Sequence, residues 1–514
     1  MATRGAEASY DEVPYEGGMV SGTHPEHLAV LGTLFGMRPK DVRRCRVLEI
    51  GCALGGNILP MAYSLPESEF VGIDLSARQI AMGQRLMREL GVTNLTLLTA
   101  DVRALENWTD SFDYIICHGV LTWVPPEVQQ AIFSVCRKLL APQGIAYISY
   151  NALPGFHFRA GIGEMMRYHA RLFQSTEERA EQATALLDFL VDATGAFAET
   201  QQLGTYHRVL SIEHEILRST PSFYLSHEHL VDEPSAFYLH EFLEFVNANG
   251  LQYLGDSSFN TMMLRDLPDS IAEKVNDIAH DQIALEQYRD FVVNRTFRRS
   301  LVCRKEVELG RYIKAEAIKE CLFHGLLKKD ETYGWRIEKV GNKPIAVSDP
   351  SVAAVLDTLD AARPRALNFA ELAARTRDMA QVDDEALCAI LLSLYSLDAV
   401  TFRTWAPEPA TEIEERPVAF WPAMKLAERG NAYLPTPFHH TGAEEPFAAR
   451  LVALLDGSQT VSDLVEAMKS RSEETGVADE DVPRMVSEGL ETIRRAGLLV
   501  SESSPRPSNT GAPG

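Results

Sequence analysis

The 514-residue chain carries 72 acidic against 49 basic side chains, a formal net charge of −23, which excludes the dense Lys/Arg surface needed to grip nucleic-acid phosphates and favours neutral or basic partners. Its length predicts about three or four domains, and no apolar run reaches the roughly 20 residues of a membrane-inserted span. Seven scattered cysteines without a C-x-x-C pair, and no signal peptide, predict free thiols in a cytoplasmic protein.

Taken in order, Thr23-His-Pro-Glu26 reads as a capping box opening a helix to about Met37, with Leu28, Leu31, Leu34 and Phe35 on one face. Val47–Ile50 is a buried parallel strand, and Gly51, Gly55 and Gly56 turn the chain into a helix near Asn57. The glycines alone also fit a relaxed dinucleotide pattern. Strand-end acids decide between the two. Glu49 precedes the turn. Asp74 ends Phe70-Val-Gly-Ile-Asp, 23 positions after Gly51, where a carboxylate suits two ribose hydroxyls; a helix cap is the alternative role for Asp74 or Ser76. Asp101 ends the next run, Leu95–Asp101, where an acid suits an adenine amino group. A fourth strand, Tyr114–Cys117, leads to His118, and a fifth, Ile145–Tyr150, follows the Pro142-Gln-Gly144 turn.

Residues 156–220 then read as helical, an insertion expected to bury an apolar face against a second copy in a homodimer. A helix stopped by Gly250 feeds a sixth strand, Leu251–Leu254, and Phe297–Cys303 is the seventh. His227-Glu-His229 and His439-His440 read as surface or packing residues, and no spacing points to a metal. The last two hundred residues hold a weak repeat: Ala354–Asp360 matches Leu451–Asp456, Asn368–Leu372 matches Thr460–Leu464, and Leu394–Phe402 matches Ile493–Val500. Each copy reads as a winged-helix-like α+β module, and the acidic chain makes protein contact its expected use. The tail 503–514 is too polar and too rich in Pro and Gly to fold.

The three strand-end acids around the glycine turn resemble the class I S-adenosylmethionine-dependent methyltransferases, a Rossmann-like seven-stranded α/β fold. In that family the pattern is E-x-G-x-G-x-G, and here Ala53 replaces the middle glycine, which implies a slightly displaced loop with binding retained. Thr23-His-Pro, Leu48–Met61, Phe70–Ser76, Cys117–Val124, Tyr224–Glu228 and Asn294–Cys303 together are similar to bacterial methyltransferases with a methyltransferase regulatory domain, whose best-known members are the rickettsial-type protein-lysine methyltransferases. Met19-Val20 departs from the Pro-Phe expected there.

The resemblance implies a division into a cofactor-binding core (1–155), the helical insertion (156–220), a regulatory region completing the sheet (221–305), a middle module (307–405) and a C-terminal module (412–502). It implies a cofactor site of Glu49, Gly51, Cys52, Ala53, Gly55, Asp74, Leu75, Ser76, Asp101, Val102 and His118. Thr23 and His24 are the implied substrate rim, and His118, Tyr15 and Trp123 the candidates for catalysis. His118 orients the cofactor or takes a proton, or is simply hydrogen-bonded at a strand end. The expected activity is protein-lysine N-methylation; the alternatives are a small-molecule methyltransferase and a non-catalytic S-adenosylmethionine-sensing adaptor.

Overall fold

The computed structural model describes residues 18–501 except 199–200, 221–224, 226–228, 231–233, 328, 331, 333, 340–341, 432, 443–444 and 472–476. Tyr15, the tail 503–514 and most of the Tyr224–Glu228 stretch therefore lie outside the described residues.

Seven strands, β1 (Arg46–Ile50), β2 (Glu69–Asp74), β3 (Leu95–Thr99), β4 (Phe112–Cys117), β5 (Leu140–Asn151), β6 (Leu251–Asp256) and β7 (Phe297–Arg304), form one sheet in the order β3-β2-β1-β4-β5-β7-β6. β7 runs antiparallel to both its neighbours, and the pairings among β1 to β5 are parallel. Both faces are covered, so the central strands β1, β4 and β5 are buried almost throughout, whereas the edge strand β3 and the start of β7 alternate. Val47, Tyr114, Ile116, Ile145 and Tyr147 point to the side of the helices Pro25–Leu34, Ile58–Ser64 and Ala77–Glu89. Leu48, Ile50, Ile115, Cys117 and Ile148 point to the side of Pro126–Leu139 and Leu239–Ala248.

Three boundaries differ from the sequence reading. The first helix begins at Pro25 and stops at Leu34, and its cap is His24, whose Nδ1 accepts from the Glu26 N–H at 3.2 Å. Thr23 closes a preceding 3-10 turn instead, because its hydroxyl donates to the Val20 carbonyl (2.7 Å). The fifth strand starts at Leu140, and the Pro142-Gln-Gly144 segment is taken up as an irregularity in its pairing with β4.

Helices Phe156–Ala170, Thr176–Gly195 and Gln201–Ser219 form the expected insertion between β5 and β6, around a small core of Ile162, Met166, Ala183, Leu187 and Leu210. Beyond β7 the two matching stretches repeat one order of elements. In the first, helices Pro350–Ala362, Phe369–Arg377 and Asp384–Tyr395 precede strand Val400–Arg403; in the second, Pro446–Val452, Val461–Lys469 and Val482–Arg495 precede Leu499–Val500. The second helix of each opens with a capping box, Asn368 with Glu371 and Thr460 with Asp463, so the local signal behind the repeat is structural.

These modules do not hang on a linker. Ile318, Phe323, Leu359, Leu391 and Phe402 are continuous with the core on the β1 side of the sheet. A buried polar seam adds direction to that apolar contact. Arg403 donates to Glu26 at 3.0 Å, both side chains being at most 3% exposed, and the Thr404 N–H donates to the other Glu26 oxygen at 2.7 Å. Arg403 also reaches the Phe438 carbonyl (3.2 Å) and His440 Nε2 (2.8 Å). Burial pushes the Glu26 carboxyl up to about 7 even beside Arg403, so the pair sets orientation at a high desolvation cost. Arg403→Met should lower stability by about 3–5 kcal/mol, because it strands a buried carboxylate. Urea denaturation should show the loss, and adding Glu26→Leu should recover most of it; a double variant as unstable as the single one would refute this account.

Candidate cofactor and acceptor site

Strand register builds the site. Ile50 pairs with Ile73 on one side and with Cys117 on the other, which sets Gly51, Asp74 and His118 in one row at the carboxyl edge of the sheet. Cys117 pairs with Ile148, and Ser149 with Arg299, which extends the row to Ser149 and Arg299. This is the edge where open α/β sheets bind ligands.

At the head of the row the chain turns with Gly51 at φ +74° and Gly55 at φ +85°. A Cβ on Gly51 would lie 2.4 Å from Val120 Cγ2, so the residue must be glycine on two counts. Ala53 adopts φ +49°, a left-handed conformation that favours glycine. The alanine holds it at a strain of about 1 kcal/mol. Asp74 stabilises that conformation. One of its oxygens accepts from the Ala53 N–H and the other from the Ser76 N–H, both at 2.9 Å. Ser76 in turn caps the following helix by accepting from the Gln79 N–H (3.1 Å). Both roles suggested for Asp74 and Ser76 therefore divide between them: Ser76 is the cap, and Asp74 is the strand-end acid shaping the loop. Leu75 is half-buried between them. Cys52 is buried, and burial with the acids Glu49 and Asp74 holds its thiol far above the usual range, so it is inert.

Beneath the loop, Asn57 joins four segments. Its Nδ2 donates to Glu49 (2.7 Å) and its Oδ1 accepts from the Val20 N–H (2.9 Å); it also bonds the Thr23 hydroxyl (3.0 Å) and His439 Nε2 (3.1 Å). Thr23 and His24 are buried in this seam, under the loop, where sequence resemblance implied a rim. Neither Asn57 nor His439 was among the candidate site residues. The clue for Asn57 was its place directly after the glycine turn; His439, 382 positions away, read as a surface or packing residue, and it is the buried, packing one.

The remaining candidates separate. Asp101 lies just beyond β3, caps the turn Val102–Asn107, and forms a bidentate pair with Arg103 that holds its carboxyl below the ordinary range. Val102 is buried behind it. His118 is half-buried, with Nδ1 2.9 Å from the Tyr147 hydroxyl and the Phe297 ring edge-on at 5.9 Å. Burial, and then the Arg299 charge, push its pKa down to about 4, so the imidazole is neutral at physiological pH and a weak base. Trp123 is half-buried in the 3-10 turn Leu121–Trp123 that follows.

These residues fit S-adenosylmethionine. Glu49 is 3% exposed, and its Oε2 has no hydrogen-bond partner. Burial, with Asp74 adding to it, raises its carboxyl to about 8. An orphaned buried carboxyl beside a second acid is matched by a cofactor bearing an ammonium and a sulfonium. The backbone-lined turn and Asp74 supply the contacts a nucleoside needs.

Residues 47–144 match the family described as a methyltransferase domain, and residues 221–304 that described as a predicted methyltransferase regulatory domain. The chain is 40% identical over 311 residues to the uncharacterized protein RP789 of Rickettsia prowazekii, covering 60% of this chain and 55% of that one. It thus spans about half of that relative's length. It is 37% identical over 236 residues to RP028 of the same organism, covering 46% of this chain and 92% of the relative. The structure of PKMT2 from Rickettsia typhi in complex with AdoHcy is similar with a TM-score of 0.82 at 27% identity, over 95% of this chain and 100% of that chain.

Asp74→Ala removes an acceptor used by the loop, which we propose the ribose hydroxyls of the cofactor use as well. We expect S-adenosylmethionine affinity to fall about ten- to a hundredfold, equivalent to about 1.5–3 kcal/mol, with the fold retained. Titration calorimetry reads this, and an unchanged dissociation constant would refute the assignment.

Proposed function

The chain belongs to the class I S-adenosylmethionine-dependent methyltransferases that carry a methyltransferase regulatory domain, and we propose that its acceptor is the side-chain amine of lysine in a protein. The observation that carries this reading is the likeness to PKMT2 across nearly the whole chain, C-terminal modules included. A small metabolite needs only a pocket, whereas this chain devotes about two hundred residues to two further modules, of which the middle one shares a core with the catalytic sheet and the last has its own.

When bound, S-adenosylmethionine supplies an electrophilic methyl group. The protein's contribution is alignment and exclusion of water. Gly51 to Gly55 and Asp74 hold one side of the row, and His118, fixed by Tyr147, borders the other. Ser149 accepts from the Gly119 N–H at 2.9 Å, which fixes the backbone after His118. A lysine amine has a free pKa of about 10.4 and must react in its neutral form. Burial at this edge and the nearby Arg299 charge both favour the neutral amine, as they favour neutral His118. A weakly basic His118 suits orientation better than proton removal, and solvent takes the proton.

Labelled S-adenosylmethionine and the full chain incubated with cell lysate should place label in methyl-lysine after acid hydrolysis, detected by mass spectrometry. Label confined to small molecules or to other side chains would reject the proposal.

The helical insertion supports a second element of the reading, a homodimer. Outside its own small core it exposes Tyr168 (66%), Leu172 (67%), Phe189 (63%) and Ile212 (54%), large apolar side chains that a second copy would cover. Light scattering should report a dimer at micromolar concentration, and Leu172→Glu with Phe189→Glu should convert it to a monomer. A monomeric parent protein would refute this.

A further inference from the structure

Next to His118 the carboxyl edge opens into a cavity of about 400 Å³. Its walls include Asp256 at the end of β6, Ser258, Phe297 and Arg299 of β7, and Arg289 and Arg295 from and just after the helix Gln282–Val293. It borders the site above through two of its lining residues. Phe297 packs edge-on against His118, and Arg299 shares its row, two strand spacings away, or about 10 Å.

The charges around this cavity are unequally committed. Asp256 accepts from the Ser258 N–H (2.9 Å) and from Arg298 (3.3 Å). Asp290 is held by Arg298 (2.6 Å) and Arg295 (3.2 Å), and Asp266 by Arg289 (2.6 Å). The acids are thus largely occupied, mostly by Arg298, which is buried behind the wall; Asp266 uses one oxygen and its Oδ1 has no partner. The arginines that line the cavity keep donors in reserve. Arg289 is 2% exposed, yet its Nε and Nη1 have no hydrogen-bond partner, and neither has Nη2 of Arg295. Arg299 is exposed; its backbone N–H reaches Asp256 (3.4 Å), but its guanidinium forms no ion pair among the described residues and makes a single 3.5 Å contact, to the Ser258 hydroxyl. Guanidinium N–H groups left without acceptors in a buried wall are costly unless a ligand completes them, and carboxylates match their fork geometry.

We propose that this arginine-lined cavity is a subsite for a carboxylate of the acceptor, so that the enzyme selects lysines with an acidic residue beside them. The inference rests on the protein-lysine reading for the identity of the acceptor; the anion-binding property of the cavity rests on its own geometry. It also adds a local rule to the long-range one. The chain's net charge of −23 disfavours acidic proteins at a distance, whereas within a Debye length of about 8 Å this cavity favours an acid.

The test uses two fluorescent synthetic peptides that carry one lysine, with glutamate or glutamine beside it. Each is titrated into the full chain saturated with S-adenosylhomocysteine. The glutamate peptide should bind about tenfold more tightly, with the difference lost in Arg299→Gln, kept in Arg299→Lys, and reduced by salt. Equal affinities for the two peptides would overturn the subsite. Transfer of label from S-adenosylmethionine is scored separately on the same peptides. Label on lysine supports both proposals. A binding preference without label upholds the anion subsite and rejects lysine as the acceptor.

Discussion

One asparagine holds the cofactor edge together. Asn57 sits where the glycine turn becomes a helix, and its amide satisfies the strand-end acid Glu49, the N-terminal segment at Val20 and Thr23, and His439 from the last module. Thr23, Glu49 and His439 are buried, and a buried polar group is tolerable only when bonded. The glycine turn is therefore fixed from below by segments that lie hundreds of residues apart, one of them in the C-terminal module.

The second seam, through Arg403, works differently. Apolar contacts from Ile318 to Phe402 already attach the middle module to the sheet, but apolar packing is not directional. A guanidinium that must meet Glu26, Phe438 O and His440 admits one arrangement of three parts of the chain. The desolvation cost is visible in the buried, raised Glu26 carboxyl. His24, His324, His439 and His440 crowd the same positive centre, and burial together with Arg403 pushes each of them below the ordinary histidine range. They are neutral packing and hydrogen-bonding groups here, so the adjacent pair His439-His440 works as the joint between modules.

Charge is distributed to match. The surface is acidic, while the arginines of β7 and its neighbouring helix are gathered at one end of the sheet. Arg298 is enclosed by Asp256, Glu286 and Asp290; Arg299, the next residue along the strand, faces the opposite way and is exposed. Strand alternation thus turns two consecutive arginines into a structural anchor and a ligand-facing charge.

By itself the sequence determined the elements whose signals are local. All seven strands, the helical insertion and the Gly250 stop follow from apolar runs and turn residues within a few residues of each other. It also marked Gly51, Ala53, Asp74 and His118, because a strand end followed by small residues constrains chemistry locally. Tertiary structure alone decided which residues meet. The Thr23–Glu26 pattern satisfied the capping rule, yet Glu26 went to Arg403, since a buried guanidinium is a stronger claimant than an N-terminal amide. Ala53 is held in a left-handed conformation by Asp74, from another strand, which accepts its N–H. The partnership of Asn57 with His439, and the row that brings Arg299 level with His118, depend on register and on packing between distant segments. Neither leaves a periodic trace in one chain, because the physical requirement they meet, a bonded partner for each buried polar group, is stated in three dimensions only.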